Sequence, residues 1–314
     1  MNLSVIIPAH NPDAGRLRRT LAGLRAQTLP PDRWETVLVD NACTPAIALA
    51  PFAADAPRNL RLLREPELGL TAARRGGLTA ATGEIFVLVD DDNVLAPDYL
   101  AQVLTLFSEY PCVGALGGKS VPKFAVEPPA GMREFFHLLA LRDLGETPLV
   151  SHGLRPAGDT KNIYPRCAPI GAGMALRRAA SAAWLDALAQ DPRRTAFDRR
   201  GAALISGGDN DLVLTIMAAG WEVAYFPQLS LTHLIPATRL EAGYLARLHR
   251  AMQASWMRVL TFHDANPWPP LTASGAALRK AKAWLFHQPW HSPAARIRYA
   301  GACGHFEGRI PLKK

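Results

Sequence analysis

An apolar run, Ile85-Phe86-Val87-Leu88-Val89, ends directly in three carboxylates, Asp90-Asp91-Asp92, followed by Asn93. A short, continuous, β-branched run with no polar alternation predicts a strand covered on both faces. Three adjacent carboxylates at its end repel one another unless a cation sits among them. Hard divalent ions such as Mg²⁺ or Mn²⁺ prefer oxygen ligands. Asp and Asn also cap helices, and Pro97 suits an early helix position. Three acids after a buried strand favour the metal and, with it, a diphosphate ligand.

The flanking sequence repeats the theme. Residues 3–7 predict a strand ending at Pro8, residues 36–39 a second ending in Asp40, and residues 60–63 a third. Leucines 17, 21 and 24 predict a helix over 16–27, and the Ala-rich residues 70–82 predict another. Alternating strands and helices imply an α/β fold with a mostly parallel central sheet flanked by helices. Ligands of such sheets collect beyond the carboxyl ends of the strands, so Asp40 and Asp90 are expected to face one crevice. Further along, residues 99–107 predict a helix and 113–118 a strand. Residues 122–168 read as a long Pro-rich insertion with one helix at 133–141, of the length that often carries function. Residues 169–176 predict a strand, 179–188 a helix and 191–201 a mobile polar loop. Ser206-Gly207-Gly208-Asp209-Asn210-Asp211 opens a helix, and 222–226 and 229–233 predict two short strands. Beyond Pro236 the chain reads as helical, over 244–262 and 276–286.

Composition narrows the class. At 314 residues, 49% hydrophobic and 20% charged, the chain has ordinary globular content. No window approaches a membrane span, and no secretory leader is expected from the first residues. Four widely spaced cysteines predict free thiols in a reducing compartment. Residues 237–314 carry 12 Lys/Arg against 3 Asp/Glu, a net +9; residues 1–236 carry 23 against 24, a net −1, matching the total of +8. A basic, Trp-bearing C-terminal quarter fits an anionic partner such as a membrane surface or a lipid-linked phosphate, or else a plain solvated helical face. Nothing there repeats a nucleic-acid reader motif, so no nucleic-acid partner is expected.

The chain has no third glycine after Gly171-Ala172-Gly173 to complete a dinucleotide fingerprint, and no Walker A loop, Gly-x-Ser-x-Gly elbow or His-Glu-x-x-His. It has an ordered series instead. Pro8-Ala9-His10-Asn11 follows the first strand and Asp40-Asn41-Ala42-Cys43 the second. Gly69 to Arg74 opens a helix, Asp90-Asp91-Asp92 ends a strand, and Gly171-Ala172-Gly173, Gly208-Asp209 and His233 follow. In that order and spacing, residues 2–250 resemble the family 2 glycosyltransferases of the GT-A fold, which move a sugar from a nucleotide-sugar to an acceptor.

The resemblance implies roles. Pro8, Ala9, His10 and Asn11 match the first nucleotide-contacting loop, and Asp40 the acid that hydrogen-bonds the base, which favours a UDP- or dTDP-sugar. Gly69 and Arg74 match the segment against the nucleotide and diphosphate. Asp90 and Asp92 match the Asp-x-Asp pair, with Asp92 as direct metal ligand, Asp90 toward the ribose, and Asp91 a spacer in the same cofactor-binding loop. Gly171 and Gly173 match the floor of the donor and acceptor site. Asp209 matches the catalytic base, with Asp211 as fallback, and His233 a position at the metal or diphosphate. A Mn²⁺ or Mg²⁺ cofactor and a saccharide or lipid-linked acceptor are implied, as is cell-surface polysaccharide or glycolipid synthesis. A cytoplasmic location, peripheral on the inner membrane face, follows from that setting. Residues 1–236 would be the nucleotide-sugar-binding and catalytic domain, with 122–168 as an acceptor-side insertion, and 237–314 a basic helical region. Gly208 departs from the family's usual Glu at that place, which keeps open an inactive nucleotide-sugar-binding protein of the same fold. A nucleotidyltransferase would need a glycine-rich, lysine-bearing loop where Pro8-Ala9-His10-Asn11 stands.

Overall fold

A computed structural model describes residues 2–151, 164–201 and 203–311. Its first half contains β1 (Leu3–Ala9), α1 (Ala14–Arg25), β2 (Trp34–Asn41), β3 (Leu60–Glu65), α2 (Leu70–Ala80), β4 (Ile85–Leu88), β5 (Asn93–Leu95) and α3 (Tyr99–Glu109). Every residue of β1 and β2 is buried, as their continuous apolar runs require. Alternate side chains feed two cores. Val5 and Ile7 pack with Leu17 and Leu21 of α1 and Val103 of α3, while Ile6 points the other way, to Ala73 and Leu78 of α2. The Asp13 carboxylate accepts from the Arg16 amide and starts α1.

The second half adds β6 (Val113–Phe124), β7 (Leu149–Ser151), β8 (Ala175–Arg177), α4 (Arg178–Gln190), α5 (Gly208–Ala218), β9 (Glu222–Ile235), α6 (Ala242–Phe262), α7 (Ala273–His287) and α8 (Pro293–Gly308). The sheet runs β3-β2-β1-β4-β8-β6-β9-β5, with β7 also on β9. β3, β2, β1 and β4 are parallel, β8 is antiparallel to both its neighbours, and β6 and β9 run parallel to each other. The result is a mostly parallel mixed sheet between helices, the expected α/β class.

Several local expectations change. The two short strands at 222–226 and 229–233 are one strand, β9: the pairing with β6 skips from Gly117↔Tyr225 to Lys119↔Ser230. Pro227 has no amide for the ladder, and the chain bulges there instead of ending. The strand expected over 169–176 is pared to β8, because Gly173 adopts φ 77° and turns the chain before it. Residues 133–139 are a 3-10 turn. The loop at 191–201 holds a 3-10 turn, Pro192–Phe197, that ends in buried Phe197 and Asp198. The centre of the 122–168 insertion, at 152–163, lies outside the described residues.

α8 was not foreseen because its sequence has little amphipathic contrast. Its signal is a glycine row, Gly301, Gly304 and Gly308, that lies against α6. A Cβ at 304 would stand 2.7 Å from the Arg250 carbonyl carbon, and one at 308 would stand 2.5 Å from the Ala254 oxygen. A third core joins Phe135, Leu138 and Leu139 of the insertion to Leu240, Leu245, Leu248 and Ile297. All four cysteines are free thiols. Among the described residues no helix is long and apolar enough to cross a membrane.

Candidate active site

A cleft of ≈ 460 Å³ opens at the carboxyl ends of β1, β2 and β4. Pro8, Ala9, His10 and Asn11 form one wall, Gly69 and Arg74 of α2 another, and Asp90, Asp91 and Asp92 the floor between them. The His10 ring Nδ1 lies 2.7 Å from the Asn41 carbonyl oxygen. Asn11 has φ 47°, a conformation that asparagine tolerates; its amide donates to Cys43 Sγ and its Oδ1 accepts from the Thr44 amide. These bonds fix the loop after β1 against the loop after β2.

Asp40 does not join the cleft. It is 1% exposed, and its oxygens accept from the amides of Cys43 and Ile47, both at 3.0 Å, while Arg64 Nη1 lies 2.6 Å from Oδ2. Burial alone would raise this carboxyl, but the hydrogen bonds and Arg64 hold it at about 2. It staples the 40–47 loop, a correction to the base-contacting role. The neighbour Asn41 lines the cleft instead, and its Oδ1 accepts from the Gly69 amide.

The three acids are unlike in their surroundings. Burial and then Asp92 push the Asp90 carboxyl upward; burial, Asp92 and Asp90 push Asp91 up to about 7. Asp92 goes down: burial opposes this, but His233, with Nε2 3.4 Å from Oδ1, and Arg239, with Nη2 3.2 Å from Oδ2, outweigh it. Asp91, expected as a spacer in the cofactor-binding loop, lines the cleft with the others. Arg239 had no signal in the sequence; the 3-10 turn Ala237–Leu240 after β9 brings it back over the acids.

The donor set suits Mg²⁺ or Mn²⁺: three carboxylates and the His233 imidazole, whose Nδ1 is buried without a hydrogen-bond partner. His233 and Arg239 compensate Asp92, while the charges of Asp90 and Asp91 still repel. The residues therefore offer donors of the kind a divalent cation takes, without forming a complete cage. Among the described residues no three His, Cys, Asp or Glu groups already surround one point. Oxygens of a bound ligand would have to complete the coordination shell.

Across the cleft, Asp209 sits in the first turn of α5, 31% exposed at its side chain. Its Oδ1 accepts from Arg74 Nη1 at 2.5 Å and its Oδ2 from the Gly171 amide at 2.8 Å. Gly171 is needed here because a Cβ would stand 2.6 Å from both Asp209 oxygens. Arg74, 2% exposed, also donates to Asp198 Oδ2 at 3.2 Å. Burial alone would lower its basicity, yet Asp209, Asp198 and Asp90 raise it. Asp198 is the residue that sequence reasoning missed. Burial pushes its carboxyl up to about 6, with Arg74 pulling down and Asp209 pushing up. The same loop caps α2, since the Arg199 carbonyl accepts from the Leu70 amide.

Two other expected site residues serve the fold. Asp211 is 1% exposed; it accepts from Trp184 Nε1 at 3.0 Å and Arg194 Nη1 at 2.5 Å, and lies 2.8 Å from His263 Nε2. It does not line the cleft, so it is no fallback for Asp209. Gly173 turns the chain, and its carbonyl accepts from the buried Tyr99 hydroxyl at 2.6 Å. A smaller hollow of ≈ 230 Å³ adjoins the cleft beside Asn210, bordered by His137, Tyr164 and Trp256. The rings of Tyr164 and Trp256 meet edge-on at 5.2 Å.

This sheet, with an acid-lined cleft at its carboxyl edge, defines an α/β protein of the GT-A type. Residues 4–155 match the glycosyl transferase family 2 model. The chain is similar to the succinoglycan biosynthesis protein ExoW of Rhizobium meliloti (strain 1021), at 33% identity over 102 residues, 31% of each chain. It is also similar to validoxylamine A glucosyltransferase of Streptomyces hygroscopicus subsp. limoneus, at 31% identity over 104 residues, 32% of this chain and 23% of the relative. The aligned segments thus span less than a third of these curated relatives. Among solved structures, S. aureus TarS 1–349 in complex with UDP matches with a TM-score of 0.50 and 14% identity, over 98% of this chain and 90% of that one. At that identity the likeness is one of fold.

Proposed function

We propose that this protein transfers a sugar from a nucleoside diphosphate sugar to an acceptor hydroxyl with inversion, and that Asp209 is the base. The observation that carries this reading is the Asp209 carboxylate. It is open to the cleft, faces the three-acid floor, and is oriented at both oxygens by Arg74 and the Gly171 amide. The acceptor oxygen attacks the anomeric carbon opposite the leaving group. The bond from that carbon to the diphosphate oxygen breaks, the nucleoside diphosphate departs, and Asp209 takes the acceptor proton. The amino end of α2 opens on the cleft at Gly69 and Leu70, where the helix dipole favours phosphate. His10 and Asn11 wall the nucleotide side. Asp90, Asp91, Asp92 and His233 would hold Mg²⁺ or Mn²⁺, which supplies positive charge against the departing diphosphate.

The donor is a UDP- or dTDP-sugar, a reading supported by the fold shared with TarS, whose structure contains UDP. The acceptor is a saccharide or a lipid-linked saccharide; the hollow beside Asn210 has Tyr164 and Trp256 on its border, an aromatic surface suited to a sugar ring. The names of ExoW and the validoxylamine enzyme support polysaccharide or glycoside synthesis, here at the cytoplasmic membrane face. Asp198 stands beside Arg74 where a side chain on residue 208 would lie, which supports an active enzyme over an inactive protein of the same fold.

The test is a panel of UDP-, dTDP-, GDP- and CMP-sugars with and without Mn²⁺, reading nucleotide release and transfer. Asp209→Asn is expected to keep donor binding and lose transfer by about 10²-fold or more. Unchanged transfer in that variant removes Asp209 as base. Release that is indifferent to chelator and to Asp90→Ala with Asp91→Ala removes the metal.

A further inference from the structure

The far end of the C-terminal region presents side chains that a protein in water alone would not keep. On α7, Leu278, Leu285 and Phe286 are 58%, 63% and 83% exposed, and Trp290 just beyond it is 52% exposed. Trp284 and Trp290 pack together with ring centroids 4.3 Å apart. Positions 278, 282, 285 and 286 follow helical spacing, so one face of α7 carries this apolar group with Lys282 inside it. α7 is fixed to the protein by other positions, the buried Ala276 and Ala283.

The charge along this stretch of chain has one sign. Residues 265–306 contain Arg279, Lys280, Lys282, Arg296 and Arg298 and no Asp or Glu. Lys280 pairs with Glu307 and Arg298 with Glu134. Among the described residues Arg279, Lys282 and Arg296 have no carboxylate partner.

We propose that the α7 face built on Leu278, Leu285, Phe286 and Trp290, with Arg279 and Lys282 on the same helix, docks on an anionic lipid bilayer. A bilayer surface offers negative headgroups to the cations and, just beneath, an apolar layer for the Phe and Leu side chains; tryptophan favours the boundary between them. A second copy of the chain fits poorly, since pairing this face with itself would bring like charges together. α8, which packs on α7, also lies along α6, and α6 lines the cleft at Tyr244, Leu248 and Met252. The face therefore belongs to the same packed unit as the cleft. Its purpose, presenting the cleft to a lipid-linked acceptor, rests on the transfer reaction proposed above; lipid binding itself does not.

The experiment is co-sedimentation of the full chain with phosphatidylcholine vesicles, with and without phosphatidylglycerol, at low and high salt. Binding is expected with phosphatidylglycerol at low salt, weakening as salt rises. Leu285→Ser with Phe286→Ser and Trp290→Ser is expected to lower partitioning by about 100-fold. Arg279→Glu with Lys282→Glu is expected to abolish the preference for phosphatidylglycerol. Both variants should keep the wild-type melt and wild-type turnover on a water-soluble acceptor, because they change only exposed residues that do not line the cleft. Failure of the wild type to sediment with anionic vesicles overturns the proposal, as does unchanged binding by the triple variant. A lipid-free wild-type dimer that the triple variant converts to monomer assigns the face to a second copy instead. Vesicle binding is read without turnover, so a failure here and a failure of the transfer reaction are separate results.

Discussion

The carboxylate of Asp198 occupies the space in which a side chain on residue 208 would have to lie: its Cγ stands 2.6 Å from where a Cβ on Gly208 would be. The same carboxylate accepts from Arg74, which in turn holds Asp209. An acid from the 191–201 loop thus stands beside Arg74 where the helix itself offers no side chain. Gly208→Ala is therefore expected to displace Asp198, costing about 1–3 kcal/mol and lowering turnover through misplaced Arg74. In an Asp198→Gly background, which also removes the Cβ 2.8 Å away, the same substitution should cost far less, as coupled neighbours do. A double-mutant cycle on thermal midpoint and kcat reads this, and strict additivity would separate the two residues.

Arg239 and His233 share the compensation of Asp92. With Arg239→Ala, a buried carboxylate loses its nearest arginine and keeps His233, the Asn93 side-chain amide and the more distant Arg16, and the protein is expected to melt lower. Added Mn²⁺ should then raise the melting temperature more in the variant than in wild type, because the ion replaces the lost charge. Equal Mn²⁺ shifts in the two proteins would falsify the idea that cation and Arg239 serve the same acids.

Glu35 gives the fold its clearest acid sensitivity. Burial alone would raise its carboxyl, but bonds from Thr82, Arg61 and Ser4 outweigh that and bring it from 4.5 to about 2. Those bonds tie β1, β2 and β3 to the turn before β4. A depressed carboxylate stabilises fully above its ordinary value and loses that stabilisation as pH falls through the window from 4.5 to about 2. Across that window wild type should lose on the order of 1–2 kcal/mol more than Glu35→Gln. Denaturant titrations at stepped pH measure it, and parallel curves for the two proteins would refute it.

Two glycines of the C-terminal helices should respond with opposite sign. At Gly304 a Cβ meets the Arg250 backbone, at 2.7 Å from the carbonyl carbon and 2.9 Å from Cα, and backbone cannot swing away. Gly304→Ala is expected to destabilise by about 1–3 kcal/mol. At Gly243, in α6, the nearest atom is the far end of Arg247 at 3.7 Å. Gly243→Ala should stabilise by roughly 0.5–1 kcal/mol, through backbone entropy alone. Calorimetry distinguishes the two, and shifts of the same sign would disprove the account of α6–α8 contact.

Much of the site could be read before the fold was known, wherever its chemistry lies in adjacent residues. Val87-Leu88-Val89-Asp90-Asp91-Asp92 announces a buried strand emptying into acids, and Pro8-Ala9-His10-Asn11 announces the opposite wall. Asp40 looked equivalent to Asp90 because both follow apolar strands. Whether such an acid faces a cleft or staples its own loop depends on the amides that come within reach, and those belong to Cys43 and Ile47 after the chain has turned. Asp211 is drawn away from the cleft for the same reason, since its partners Trp184, Arg194 and His263 are supplied by three other segments.

The sequence by itself determined the α/β class, the carboxylate floor, and the uneven placement of basic charge, because strand burial, local acid spacing and net charge are properties of neighbouring residues. Tertiary structure decided which carboxylates are compensated. Arg239 reaches Asp92 only through the turn after β9, Asp198 reaches Arg74 across 124 positions of chain, and the exposed face of α7 is apparent only once Ala276 and Ala283 have been buried. Coulomb forces and hydrophobic contact act over a few ångströms of space, and distance along the chain does not report that space.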